Sequence, residues 1–532
     1  MSEAATVMAN ILVLKTVAGL QRFLSTLDAT DQFQPQDDSK EGLGLVPTMG
    51  ALHPGHLSLI QRACRENRWV IVSLFVNPLQ FGPHEDLAHY PRTFEADLDH
   101  CQAAGVTAVF APDAATLLPQ DSMTQVIPPA HMTATLCGRS RPGHLQGAAT
   151  IVLKLLNLIQ PDRAYFGQKD AQQLAIIQKL VQDLSIPVEI VPCPIVRAAN
   201  GLAYSSRNQY LSTAQTQTAT VLYRSLQQAQ AQFQARTVTR ADLLATVQTT
   251  LAQEPDVTPD YVELVDPQTF QPLEQITEVG LLAIAAYIGP SRLIDNILLD
   301  ARPPILAVDG PAGAGKSTVT RLSAQQLGLM YLDTGAMYRA VTWLVLTAQI
   351  DLQDQVAIAE LLSQCQIQFQ LDSDPQQPPR IWVNGQDVTT AIRSPEITSQ
   401  VSTVAAQQAV REALVRQQQV LGKAGGIAVE GRDIGTHVFP DAGLKIFLTA
   451  SSQERARRRL QDLQRQGEAE MNLDQLEQAI ITRDHKDSQR EIAPLRQAAD
   501  AVVINTDGLR IEEVTAKIVG LYRDRFPQGD QA

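Results

Sequence analysis

Short runs of apolar, often β-branched residues recur along the chain, separated by longer stretches with helical spacing of apolar positions. Residues 11–14, 43–46, 69–76, 106–110, 188–190, 305–308, 426–429 and 444–448 read as strands. Their alternation with amphipathic stretches predicts parallel sheets covered by helices, an α/β fold, in both halves of the chain. Near residues 205–212 the pattern changes to a Gln/Thr/Ala-rich helical stretch, followed by a strand-like segment at 261–265. The strongest break is Asp300-Ala301-Arg302-Pro303-Pro304, where two prolines end any preceding element and a new apolar run begins at once. The expected division is therefore 1–300, with an inner boundary between about 205 and 206, and 301–532. Residues 372–379, polar and Pro-rich, read as a loop tip, and no repeat of solenoid period is visible.

The chain has 532 residues, enough for two to four domains, and either half is long enough to bury its own core. A formal net charge of -13 argues against a general nucleic-acid or membrane-surface binder. The apolar run 279–288 falls far short of a membrane span. Cysteines at 64, 101, 137, 193 and 365 form no CxxC pair, which favours free thiols and a reducing cytoplasm. Glu3 precedes any Lys or Arg, so no secretory signal is expected.

Gly310-Pro311-Ala312-Gly313-Ala314-Gly315-Lys316-Ser317 satisfies GxxxxGK[ST] between an expected strand and a helical run at 318–327. Glycines there let backbone N–H groups turn inward around phosphate oxygens, and the helix N-terminus adds positive potential. Gly310, Gly313, Gly315, Lys316, Ser317 and Thr318 are thus candidate ATP contacts. Lys316 is placed to bridge the β- and γ-phosphates and Ser317 to hold Mg²⁺. Further on lie Asp333-Thr334-Gly335-Ala336-Met337-Tyr338-Arg339, then Gly431-Arg432-Asp433, then Arg483, Asp487 and Arg490. Arginine forks suit phosphate, and carboxylates suit sugar hydroxyls or base amines. Any one of these arginines alone is more simply a solvated charge.

Together, GPAGAGKST, LDTGAMYRA, IRSPEITSQVSTVAA, VREALVRQQ, EGRDIGTHVFPDA and REIAPL resemble the cytidylate kinase family over about residues 303–527. The resemblance implies a P-loop nucleoside monophosphate kinase fold. It also implies ATP-dependent phosphorylation of CMP or dCMP at a site of Thr334, Tyr338, Arg339, Ser402, Arg411, Arg432, Asp433, Arg483, Asp487 and Arg490. Ser402, Arg411 and Asp433 would read the cytosine, residues 455–459 would form a mobile lid over ATP, and Glu430 would organise the Mg²⁺ water shell. Without the family, 455–459 reads as a solvated helix face. The acceptor is the CMP phosphate oxygen, so no protein nucleophile is expected.

In the first half, Pro47-Thr48-Met49-Gly50-Ala51-Leu52-His53-Pro54-Gly55-His56 follows an apolar run. His53 and His56 share a face if a helix begins there, and Pro54 suits its first turn. A phosphate at this place would meet backbone donors, the helix dipole and two imidazoles. A metal pair or structural capping are the simpler alternatives, although no third metal ligand stands nearby. Asn77-Pro78-Leu79-Gln80-Phe81, Phe166-Gly167-Gln168-Lys169-Asp170 before Gln173, and Tyr204-Ser205-Ser206-Arg207 fall where open α/β sheets bind ligands.

PTMGALHPGH, FVNPLQF, RPGH, KLLNLIQPD, FGQKDAQQL and SSRNQYLS resemble the pantoate–β-alanine ligase family over about residues 11–299. The resemblance implies a Rossmann-like domain of the HIGH-motif nucleotidyltransferase superfamily with a small α+β subdomain. The implied reaction makes pantothenate through pantoyl adenylate. His56 would be the proton donor, His53 a phosphate partner, and Lys169 a neutraliser of pyrophosphate charge. Met49, Gly50, Ala51, Leu52, His53, Pro54, Gly55, His56, Gly167, Gln168, Lys169, Asp170, Val196, Tyr204, Ser205, Ser206 and Arg207 would bind ATP. Gln80 and Gln173 would hold pantoate, with Gln80 also meeting β-alanine. Two departures stand out: Gln168 where the family commonly has Glu, and Tyr204 where it has Met. Mg²⁺ is implied with ATP in both halves, and a homodimer through the first. The partners expected are small molecules, not nucleic acid or membrane. Three rival readings remain: one half retained as a regulatory binding module, a different acid as ligase substrate, and AMP or UMP as kinase acceptor.

Overall fold

The structure, a computed structural model, describes residues 11–31, 42–83, 85–118, 123–235, 238–370, 379–466, 472–489 and 493–526. Residues 372–378 of the expected loop tip, and Arg490, lie outside these. The chain divides into two units, Met1–Ala301 and Arg302–Ala532.

In the first unit, strands β1 (Leu12–Leu14), β2 (Leu43–Thr48), β3 (Trp69–Leu74), β4 (Ala108–Phe110), β5 (Arg163–Gly167) and β6 (Glu189–Cys193) form one sheet. All its pairings are parallel, in the order β1-β4-β3-β2-β5-β6. The central strands are mainly apolar because both their faces are covered. Leu45, Ile71 and Phe166 pack on one side, and Val46, Val72 and Tyr165 on the other. The chain runs from β2 through β3 to β4 on one side and returns to β5 on the other. The switch point, where such sheets bind ligands, is thus at the carboxyl ends of β2 and β5.

Strands β7 (Val257–Val265), β8 (Val279–Ile288) and β9 (Ser291–Asp300) make an antiparallel sheet in the same unit. The unbroken apolar run of β8 follows from burial on both faces. Leu282, Ile284 and Ala286 pack on the helices Val221–Ala235 and Arg240–Leu251, while Leu281, Ala283 and Ala285 pack on Met132, Leu145 and Ile176. Strand β7 begins at Val257, earlier than its sequence pattern suggested, because a register shift between Pro259 and Tyr261 interrupts the alternation.

The second unit repeats the principle. Strands β10 (Leu306–Asp309), β11 (Met330–Asp333), β15 (Ile427–Gly431), β16 (Leu444–Thr449) and β17 (Val502–Asn505) form a parallel sheet ordered β11-β15-β10-β16-β17. Ala307, Leu332 and Val429 face one core, and Leu306, Val308 and Ile446 the other. A small antiparallel sheet of β12 (Ile367–Gln370), β13 (Arg380–Val383) and β14 (Gln386–Asp387) has no counterpart in the sequence expectation.

One close approach shapes the first unit's site. Gly147, in the helix His144–Ile159, lies against the turn Pro78–Gln80; a Cβ there would stand 2.2 Å from the Leu79 carbonyl oxygen and 2.8 Å from Gln80 N. Both neighbours are backbone and cannot swing aside. Gly147→Ala should cost about 1–3 kcal/mol despite its better helix propensity. The denaturation midpoint of the first unit reads this directly, and an unchanged or raised midpoint would refute the contact.

Candidate active sites

Strand β2 ends at Thr48, and the chain must turn across the carboxyl edge of the sheet before the helix Pro54–Glu66 begins. It does so through two successive positive φ angles, 82° at Gly50 and 51° at Ala51, the second unfavourable for a residue with a Cβ. A buried acid holds the turn: Asp97 accepts the Ala51 N–H at 2.9 Å and the Leu52 N–H at 2.8 Å. His53 is the N-cap residue by its backbone, but its side chain makes no cap hydrogen bond, which removes the structural-capping reading. Instead the His53 and His56 rings stack with centroids 4.0 Å apart, and the Tyr204 ring lies 6.2 Å beyond His53. The Nδ1 atoms of both histidines are buried without a hydrogen-bond partner.

A cleft of about 250 Å³ opens over the ends of β2 and β5. Met49, His53, Gly55 and His56 line it from one side, and Gly167, Lys169, Asp170 and Gln173 from another. Val196, Tyr204, Ser205, Ser206 and Arg207 also face it, as does Gln80, whose Nε2 lies 2.6 Å from Met49 Sδ. Gly50, Ala51, Leu52, Pro54 and Gln168 do not line it. The first four build the turn behind the histidines, and the Gln168 carbonyl accepts from Asn296 Nδ2 at 3.0 Å. Among the described residues, no group of three or more His, Cys, Asp or Glu side chains could hold a metal.

Burial, then the Lys169 charge, lowers His53 from 6.5 to about 4. Burial, then His53 and Lys169, lowers His56 to about 3. A third histidine belongs to the same wall. His144 Nδ1 lies 2.8 Å from the Gln80 carbonyl oxygen, which assigns it the proton and leaves Nε2 to accept from Arg141 at 3.0 Å. Burial, then Arg141, lowers His144 to about 4. Arg141 also pairs with Glu85 at 2.5 Å, and Arg207 grips Asp86 at 2.8 and 3.0 Å.

In the second unit β10 ends at Asp309. Gly310 follows at φ 147°, so close to β16 that a Cβ would lie 2.1 Å from the Leu448 carbonyl oxygen. Gly313 and Gly315 turn the loop at φ 80° and 89°, and the helix Lys316–Leu327 starts immediately. The Lys316 ammonium is buried and donates to the Pro311 carbonyl at 2.8 Å; burial, then Arg432, holds it well below 10.5. Ser317 Oγ donates to Glu430 at 2.8 Å, and Tyr331 OH donates to the other carboxylate oxygen at 2.5 Å. Burial, then Asp333, raises the Glu430 carboxyl. Thr318 is half-buried in the first helical turn.

Beyond the loop, carboxylates and arginines are already paired. Arg411 and Asp433 form a buried ion pair, with the Tyr338 ring 5.9 Å from the Arg411 guanidinium. Arg411 Nε is buried with no partner. Arg432 pairs with Asp487 at 3.1 Å and Arg339 with Asp333 at 3.2 Å, while Thr334 donates to the Glu430 carbonyl at 2.7 Å. Arg483 is close enough to Lys316 to depress its ammonium further. Ser402 is exposed on the helix Pro395–Ala405 and joins none of these hydrogen bonds. Of the arginines at 455–459, Arg457 and Arg459 are solvated, whereas Arg455 is buried between Asp484, at 2.5 and 3.0 Å, and the Ala312 carbonyl, at 3.1 Å.

Two family models match the two units: pantoate-beta-alanine ligase over residues 13–298 and cytidylate kinase over 306–524. Among similar proteins, a bifunctional pantoate ligase/cytidylate kinase from Acaryochloris marina is 60% identical over 98% of this chain and 99% of its own. The protein of the same description from Trichormus variabilis is 57% identical over 97% of this chain and 99% of its own. The chain belongs to the bifunctional pantoate ligase/cytidylate kinase family. A solved pantothenate synthetase from Thermus thermophilus is 42% identical, with a TM-score of 0.49 over 54% of this chain and 99% of that one. The first unit is thus an ATP-using ligase and the second an ATP-using kinase acting on small molecules. No helix among the described residues is long and apolar enough to cross a membrane.

Some residues of the ligase and kinase sites were not singled out in the sequence. RPGH was visible as a segment, yet nothing in it showed that His144 and Arg141 bind the Gln80 backbone. Asp97 and Asp309, the latter just past the expected strand 305–308, carry no local sequence signal of their place in the sites.

The three depressed histidines set a pH dependence. Each binds a proton near 6.5 when unfolded but only at about 3 to 4 when folded. The unfolded state therefore holds more protons between those values, and stability falls as pH drops from 6.5 toward 4. The ligase melting temperature should decline over that window. His144→Gln should flatten the decline, and an identical slope in the variant would exclude His144 as a contributor.

Proposed function

We propose that residues 1–300 condense pantoate with β-alanine and that residues 301–532 phosphorylate CMP or dCMP, each at its own ATP site. In the ligase, the pantoate carboxylate attacks the α-phosphorus of ATP to give pantoyl adenylate and pyrophosphate. The β-alanine amine then attacks the acyl carbon, giving pantothenate and AMP. The observation that carries this reading is the stacked His53–His56 pair facing Lys169 across one cleft. Burial lowers both imidazoles in the empty cleft, and each ring carries an N–H that can be offered to charge growing on the phosphate. His56 is the proton donor of this reading and His53 a partner of the phosphate. Lys169 neutralises the departing pyrophosphate, Gln80 and Gln173 hold pantoate, and Tyr204 and Arg207 close on the nucleotide.

In the kinase, the glycine loop cradles the phosphates and Lys316 follows the transferred group. Ser317 at the start of the helix and Glu430 in β15, 2.8 Å apart, present the hard oxygen donors that would suit Mg²⁺. When bound, the ion neutralises charge on the β- and γ-phosphate oxygens. Arg339, Arg432, Arg483 and Arg490 are assigned to the acceptor phosphate and sugar, and Arg411 with Asp433 to the cytosine edge. Ser402 keeps its assignment only on resemblance. A cytoplasmic location agrees with five free cysteines. A dimer through the ligase half completes the reading, and sedimentation of the purified chain tests it.

Each site has a separate test on the full chain. His56→Ala should lower pantothenate formation about 10²–10³-fold and leave CDP formation unchanged. Wild-type pantothenate synthesis by that variant would remove His56 from the mechanism. Lys316→Ala should abolish CDP formation while pantothenate formation stays within about twofold, since no proposed ligand is shared. Loss of both activities in a folded Lys316→Ala chain would mean that the sites are coupled.

A further inference from the structure

Asp433 stands at the start of a single helical turn, Ile434–Val438, where an aspartate ordinarily caps the first free amides with its own carboxylate. It makes no such bond, because its carboxylate is paired with Arg411 in the interior. The amides are bonded from elsewhere. Asp309, the last residue of β10, accepts the Ile434 N–H at 2.8 Å and the Gly435 N–H at 2.7 Å, one on each oxygen. Asp309 lies in register with Gly431 across the β10–β15 pairing and immediately precedes Gly310. Asp433 and Lys316 are the charged groups that act on its carboxyl. The Lys445 stem also packs on Gly435, but its ammonium is turned to Pro440 and Asp500. Burying a carboxylate is costly unless donors surround it, and here the donors are the amides of the turn that aims Asp433.

We propose that Asp309 is a positioning residue for nucleobase selection: by capping this turn from the neighbouring strand, it keeps the Asp433 carboxylate on Arg411 and toward the base. The proposal rests on the assignment of Arg411 and Asp433 to cytosine. Without Asp309, the acceptor next to the two orphaned amides is Asp433 itself, which would turn to cap its own helix and leave Arg411 unpaired. Selectivity for the base would then loosen while the phosphate cradle persists.

The test compares CMP and UMP as acceptors, and separately the KM for ATP, using the full chain and its variants. Asp309→Asn retains shape and one acceptor but must present an amide NH₂ to a backbone N–H. It should raise the KM for CMP about tenfold and lower the CMP-over-UMP ratio of kcat/KM by a similar factor, with the KM for ATP within about twofold of wild type. Gly435→Ala strains the same joint without removing the acid, since its Cβ would stand 3.1 Å from Lys445 Cδ and 3.3 Å from Asp309 Oδ2. It should shift the ratio in the same direction, and it decides the matter if the Asn variant does not fold. An unchanged ratio in both folded variants, or a parallel loss for CMP, UMP and ATP, would overturn the proposal and leave Asp309 a support of the glycine loop. Asp433→Asn separates the two assignments. If it leaves the ratio untouched, the cytosine reading itself fails; if it lowers the ratio while the Asp309 and Gly435 variants do not, only the role of Asp309 fails.

Discussion

A parallel sheet delivers its strands to one edge, and there the chain must turn while its amides lose their sheet partners. Each such amide needs an acceptor if the turn is to be buried, and water is a poor choice in a site that has to exclude it. Both units answer with an aspartate from another part of the chain. Asp97 takes the amides of Ala51 and Leu52, and Asp309 those of Ile434 and Gly435. The left-handed φ of Ala51 and the orientation of the loop that ends in His53 and His56 both depend on the first of these. Conversely, the carboxylates can remain in the interior only because the turns supply donors, so site loop and acid each require the other.

The two sites handle charge differently on this common support. The ligase cleft keeps its three histidines neutral through burial and neighbouring cations. The kinase site instead holds its arginines in ion pairs, with Arg411 on Asp433, Arg432 on Asp487 and Arg339 on Asp333. Pairing fixes long side chains in one orientation, at a desolvation cost that an incoming phosphate helps to offset. Arg455 extends the pattern by tying two helices to the Ala312 carbonyl within the glycine loop.

How much of this was legible depended on sequence distance. The glycine loop was readable because its donors, its lysine and its helix are contiguous, and the large sheets because strands buried on both faces cannot hide their composition. The run at 279–288 was conspicuous, but only the structure shows why it is apolar: β8 is covered on both sides. The small sheet β12–β14 escaped notice because its strands are two to four residues long and carry exposed polar side chains. Asp97 and Asp309 were invisible for another reason. Their partners lie 46 and 125 residues away, and no local pattern distinguishes an acid that will be buried from one that will not. Gln168, between the cleft residues Gly167 and Lys169, is placed by its backbone, whose carbonyl holds Asn296.

The continuity of the chain from Asp300, the end of β9, to Leu306, the start of β10, has a consequence for dosage. One ribosomal passage yields one ligase and one kinase, whatever the level of expression. Separate genes would let a cell change the ratio of pantothenate synthesis to pyrimidine nucleotide phosphorylation by transcription or by selective degradation. Here the two catalysts on this chain are made one to one at translation, so substrate supply and the response of each site to its own ligands become the levers on the balance of the two fluxes.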